Sequence, residues 1–104
     1  MSKGSNLLPT KEAFSRELEA LFRARMDEGP EFDLTLEDVV VGVSNEVQES
    51  FSLRFRGPSE APMVQHIYRL DNKALGSMNI FLVPIKKDES GLYYEAVFNH
   101  LVGV

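Results

Sequence analysis

The chain has 104 residues, 43% of them apolar and 26% charged, with no cysteine and a formal charge of −5. A chain of this length is one domain that buries roughly two-thirds of its unfolded surface, enough for a core without staples. The acidic balance argues against nucleic acid and anionic membranes, whose recognition needs clustered Lys and Arg. The lack of cysteine removes thiol chemistry, disulfides and zinc–thiolate sites.

Residues 1–8 read as a short flexible start with no apolar run to serve as a signal peptide, and residues 9–104 as a single β-rich domain. No stretch approaches the roughly 18 apolar residues of a membrane-spanning helix, so a cytoplasmic location is the default expectation.

A helix is expected to open at Pro9-Thr10, with Thr10 as its N-cap and Ala13, Phe14, Leu18 and Leu21 at helical spacing. Glu12 in the first turn suits the positive end of the helix dipole. Propensity alone would carry the helix to about Met26, but the period changes first. Phe22, Ala24 and Met26 alternate with Arg23, Arg25 and Asp27. Beyond the turn-like Asp27-Glu28-Gly29-Pro30, Phe32, Leu34 and Leu36 alternate with Asp33, Thr35 and Glu37. Two period-2 runs about a Gly-Pro turn predict a β-hairpin, so the helix should stop near Ala20 and a strand begin near Leu21.

Val39 to Val43 continues the second hairpin strand. Next, Phe51, Leu53 and Phe55 point one way and Ser50, Ser52, Arg54 and Arg56 the other, a half-buried antiparallel strand ended by Gly57-Pro58. Val64, His66, Tyr68 and Leu70 share one parity of the following strand, opposite Gln65, Ile67 and Arg69. After a turn over Asp71–Gly76, Met78 to Ile85 is apolar on both parities. That predicts a central strand covered on one face by the core and on the other by the helix. Lys86 to Gly91 reads as a polar hairpin loop, and Leu92 to Leu101 as a last strand with Leu92, Tyr94, Ala96 and Phe98 inward. The expected class is mainly β (α+β), a small six- to seven-stranded antiparallel barrel or sandwich with one N-terminal helix.

Five runs carry a resemblance from about Phe22 onward: Phe51-Ser52-Leu53-Arg54-Phe55-Arg56-Gly57, Gln65-His66-Ile67-Tyr68, Ala74-Leu75-Gly76, Phe81-Leu82-Val83-Pro84-Ile85 and Tyr94-Glu95-Ala96-Val97-Phe98. In this order they resemble an uncharacterised family of small bacterial domains of unknown function, and the stretch they span is about half the chain. The resemblance implies a setting near phage-tail-like or tail-collar proteins. Similar sequences often read Leu-x-His-x-x-Leu-Gly around the turn, where this chain has Leu70-Asp71-Asn72-Lys73-Ala74-Leu75-Gly76. Asn72 can make a turn hydrogen bond, but it is neither a general base near neutral pH nor a good metal ligand.

The residues suggest no catalytic constellation. His66 and His100, the two imidazoles, lack a ligand spacing, so no metal is expected. His66 reads as a partly buried, hydrogen-bonded ring and His100 as a surface residue. The adjacent acids Asp27-Glu28 and Glu37-Asp38 point to opposite faces of any strand and cannot converge on one atom. The glycines at 57, 76 and 91 are isolated turn glycines, and Gly76-Ser77 is no nucleophile elbow. Gln65, Tyr68, Tyr94 and Glu95 form the polar set of most interest: the two tyrosines should bury their rings, while Gln65 and Glu95, facing outward, could share a hydrogen-bond network beneath the helix. This set is the sequence's candidate for a ligand or partner site.

The expectation is therefore a protein that is not an enzyme, with no cofactor, acting as a protein-interaction or assembly accessory protein on another protein or on itself. Its contact would be a strand edge or sheet face, the apolar end of the last strand above all, with the first hairpin as a protected edge. The alternative is a small barrel holding an apolar molecule.

Overall fold

The computed structural model describes residues 8–101, with side chains up to Asn99. The expectations for residues 1–7, for the tail 102–104 and for the His100 side chain lie outside the described residues. One short helix, α1 (Lys11–Ser15), precedes six strands: β1 (Leu21–Arg25), β2 (Glu31–Ser44), β3 (Gln48–Gly57), β4 (His66–Asn72), β5 (Gly76–Asp88) and β6 (Gly91–Leu101). All pairings are antiparallel, and the order β1-β2-β3-β6-β5-β4 closes on itself as a barrel. No helix among the described residues is long and apolar enough to cross a membrane.

The first hairpin forms as its period dictates. Phe22 faces Leu34 and Ala24 faces Phe32 across the β1–β2 ladder. Phe22, Ala24, Leu34 and Leu36 are buried, and Met26 and Phe32 pack against them. The hairpin is not a sheet edge, however. Arg23, Ala24 and Arg25 also pair with Asp71, Leu70 and Arg69 of β4, and this pairing closes the barrel.

Register shifts interrupt the ladders in three places, between Leu36 and Asp38 and between Val41 and Ser44 in β2, and between Pro84 and Lys86 in β5. In β2, Leu36 opposes Phe55 but Asp38 opposes Arg54, so Glu37 is the extra residue. The inward parity changes there, from Leu34 and Leu36 to Val39, which faces Leu53. In β5, Pro84 opposes Tyr94 while Lys86 opposes Tyr93, leaving Ile85 as the extra residue. Pro84 has no amide hydrogen to give the ladder, and a bulge is one of the places where a strand tolerates that loss.

The helix is shorter than expected and lies elsewhere. Thr10 caps it, its Oγ1 accepting from the amide of Ala13 at 3.1 Å. From Arg16 the backbone tightens into turns, with the amide of Glu17 donating to Phe14 and that of Ala20 to Glu17. Glu19 then takes a left-handed conformation (φ 69°), and its amide donates to the Leu36 carbonyl at 2.7 Å. That bond to β2 wins over helix propensity and delivers the chain into β1. Of the four expected apolar helix positions only Phe14 is buried, while Leu18 and Leu21 are exposed.

Phe14 enters the core beside Phe98 and Phe51, at ring-centroid distances of 5.8 and 6.3 Å, and Lys11 pairs with Glu49 of β3 at 3.5 Å. The helix therefore plugs the barrel beside β2 and β3 and does not cover β5. That strand is buried on one face alone: Met78, Ile80 and Leu82 point inward, and Phe81 and Ile85 are exposed.

Aromatic rings fill the interior. Phe51 stacks on Phe98 at 4.9 Å, Phe22 meets Phe55 edge-on at 5.2 Å, and Phe32 lies against both Tyr68 and Tyr94. The last strand presents Leu92, Tyr94, Ala96 and Phe98 inward as its period requires. Its ladder with β5 runs from Asp88–Gly91 to Val83–Glu95, whereas its ladder with β3 continues to Leu101. Val64, expected to begin β4, lies in the preceding loop and is exposed.

Candidate functional site

The two outward rows of β4 and β5 next to β1 build a concave surface. In one row, Arg25, Arg69 and Asn79 stand side by side across β1, β4 and β5. In the next, Ile67 stands directly opposite Phe81. Ile67 is 58% exposed and Phe81 51%. With Asp27, Gln65 and His66 these residues line an open groove of about 670 Å³.

The charges of the groove are unevenly held. Asp27 adopts a left-handed backbone (φ 54°), which an aspartate tolerates at a turn, and its carboxylate lies 3.2 Å from His66 Nε2. Arg25 lies 3.9 Å from Glu31. Arg69 donates to the Ser77 hydroxyl at 3.2 Å and approaches Asp71 at 3.5 Å. The Ser77 hydroxyl in turn donates to Asp71, and this bond, with the neighbouring Arg69 charge, holds the Asp71 carboxyl below its ordinary value. Arg25 and Arg69 are thus two like charges directly opposed across a ladder, an arrangement that costs stability.

A second, smaller hollow of about 480 Å³ lies between the start of β2 and the β3–β4 loop, lined by Pro30, Phe32, Pro58 and Pro62 among others.

The four sequence candidates separate. Gln65 is exposed and lines the groove. Tyr68 and Tyr94 are interior, their rings 5.7 Å apart, with their hydroxyls donating to the carbonyls of Val64 and Pro62. Burial raises both phenol pKa values, that of Tyr94 the further. Glu95 lies opposite Arg54 on β3, their charged atoms 3.9 Å apart. The expected network of Gln65 with Glu95 beneath the helix does not form, because α1 plugs the barrel end and covers neither outward face. Among the described residues, no three His, Asp or Glu side chains gather as metal ligands.

Arg25, Arg69, Ile67 and Phe81 were not singled out by sequence reasoning. For Phe81 the signal was the apolar outward parity of β5, which suggests burial on two sides until the position of the helix is known; Arg25 of β1 and Ile67 and Arg69 of β4 had no such signal.

The architecture is that of a closed six-stranded antiparallel barrel with an apolar, arginine-flanked groove on its outer wall. A family model described as a domain of unknown function, DUF6916, matches residues 9–98, and the chain belongs to that family. No curated protein and no solved structure matches it.

Proposed function

We propose that this barrel is a non-catalytic protein-interaction module, an assembly accessory protein whose contact surface is the outer groove of β1, β4 and β5. The carrying observation is the Ile67–Phe81 pair, an aromatic and a β-branched side chain set side by side in water on the face of a closed barrel. Antiparallel strands ordinarily turn polar side chains to solvent, and a contiguous apolar patch rimmed by polar groups suits a protein contact. The ring-filled interior supports a solid scaffold over a carrier of apolar molecules.

Site-specific photocrosslinking tests this. A benzophenone amino acid at position 81, in cells that express the chain naturally, should yield a discrete adduct whose partner is identified by mass spectrometry. The purified partner should then bind the wild-type chain and lose affinity for a Phe81→Thr variant. Adducts no different from those at exposed Glu89 would overturn the reading.

A further inference from the structure

We infer that the segment taken by this groove is an extended peptide carrying an apolar residue and, two positions on, an acidic one. The inference rests on the reading that this face binds protein.

Two observations specify that chemistry. First, Arg25 and Arg69 oppose each other on the outer face with their nearest carboxylates at 3.9 and 3.5 Å, so an incoming carboxylate between them would relieve a like-charge contact. The groove's third charge, Asp27, already faces His66. Among the charged residues that line the groove, the two arginines outnumber Asp27, on a chain of net charge −5. Second, Ile67 and Arg69 are alternate residues of β4, so their rows lie roughly 7 Å apart. Alternate side chains of an extended peptide have the same spacing. A peptide laid along β4 therefore sets an apolar side chain on Ile67 and Phe81 as its carboxylate reaches Arg25 and Arg69. Adjacent apolar and acidic residues would point to opposite sides and could not do both.

The occupant is acidic peptide in preference to nucleic acid because two arginines, flanked by Glu31 and Asp71, can hold one carboxylate but are too few cations to follow a continuous phosphate chain.

The test uses the isotope-labelled full chain and three blocked probes, followed by amide chemical shifts. The first peptide alternates Leu and Glu at every second position with Ser between. The second has Lys for Glu, and the third keeps the composition of the first with Leu and Glu adjacent. The first should give saturable shifts at Arg25, Ile67, Arg69 and Phe81, with the other two bound roughly five-fold or more weakly. Arg69→Glu should reverse the preference between the Glu and Lys peptides. A circular-dichroism spectrum and melt matching wild type would show that the variant folds. Equal binding of all three peptides, no saturable shift at these residues, or tighter binding of oligothymidylate at the same residues would each overturn the inference. A position-81 crosslink to a protein that persists after such a failure would leave the interaction reading standing and sink only the peptide chemistry.

Discussion

The side-chain amide of Asn72 donates to the backbone carbonyl of Leu21 at 3.1 Å and so joins the β4–β5 turn to the start of β1. The same nitrogen also donates to Glu17 at 3.3 Å, and its oxygen accepts from the amides of Ala74 and Leu75 at 2.9 and 2.8 Å. Asn72 is the buried polar residue among the described ones, and no polar atom of it lacks a partner. Asn72→Ala would strand backbone groups in a part-buried turn and should cost about 2–3 kcal/mol in a urea titration. Asn72→Asp should be comparably harmful at neutral pH, since it places a carboxylate beside Glu17 and against the Leu21 carbonyl. If both variants unfold with wild-type midpoints, the turn does not depend on the carboxamide.

Phe14 is the only residue of α1 that is buried, yet it touches both Phe51 and Phe98. Phe14→Ala should therefore cost about 3–5 kcal/mol, the range for an emptied aromatic core position. Leu18→Ala, at a residue 44% exposed, should cost under about 1 kcal/mol. The reverse ranking by thermal or denaturant melts would mean that Leu18, and not Phe14, anchors this segment to the core.

Local pattern made much of this fold readable. The β1–β2 hairpin, the inward residues of β3 and β6 and the Thr10 cap follow from spacing over a few residues, because a period of two or a cap is a local constraint. Closure of the barrel was not readable. It depends on Arg23–Arg25 meeting Arg69–Asp71, a long-range pairing with no local signature. The Glu37 bulge was visible as a shift of the apolar positions from Leu34 and Leu36 to Val39, but a β-branched run looks the same whether or not a residue is extra. The groove was hidden for a related reason. Apolar residues on both parities of β5 describe a strand buried twice or one that keeps an apolar face for a partner, and the position of the helix decides between them.

Gly91 begins β6 with φ 142°, and a Cβ built there would lie 2.0 Å from the Gly57 carbonyl oxygen. Both the backbone conformation and the space are closed to an L side chain. Gly91→Ala should cost about 3 kcal/mol or more, or prevent folding, because the β3–β6 register would have to open at Gly57–Leu92. Gly76→Ala offers a contrast: its φ is 84° but nothing lies within 4 Å of the added carbon, so only conformational strain remains and the loss should be smaller. Equal losses would show that contact with Gly57 is not what restricts position 91.

Burial raises the phenol pKa of Tyr94 above its ordinary value of 10.0. A folded-state pKa above the unfolded one means that the folded chain holds its proton longer. The resulting stability is complete below the unfolded value and is lost as pH rises beyond it. Urea midpoints should accordingly be flat in this respect through neutrality and fall above about pH 10. Tyr94→Phe removes the hydroxyl that donates to Pro62, so it should lose about 1 kcal/mol at neutral pH and show a shallower alkaline decline. An unchanged alkaline slope in that variant would assign the decline to other groups.

Adjacent residues of β5 allow the strand's two faces to be tested against each other. Leu82 is fully buried, whereas Phe81 is 51% exposed and meets Ile67 across the ladder. Leu82→Ala should cost about 2–5 kcal/mol through the cavity it leaves. Phe81→Thr keeps a residue suited to strands and forfeits one surface cross-strand pair, so it should cost under about 1 kcal/mol. If the exposed face serves a partner, the less destabilising substitution should be the one that abolishes binding. Affinity should fall for Phe81→Thr while its melt stays close to wild type, and for Leu82→Ala it should change only as far as unfolding depletes the native chain. Partner affinity that follows stability through both variants would show that the whole fold, and not this face, is what the partner reads.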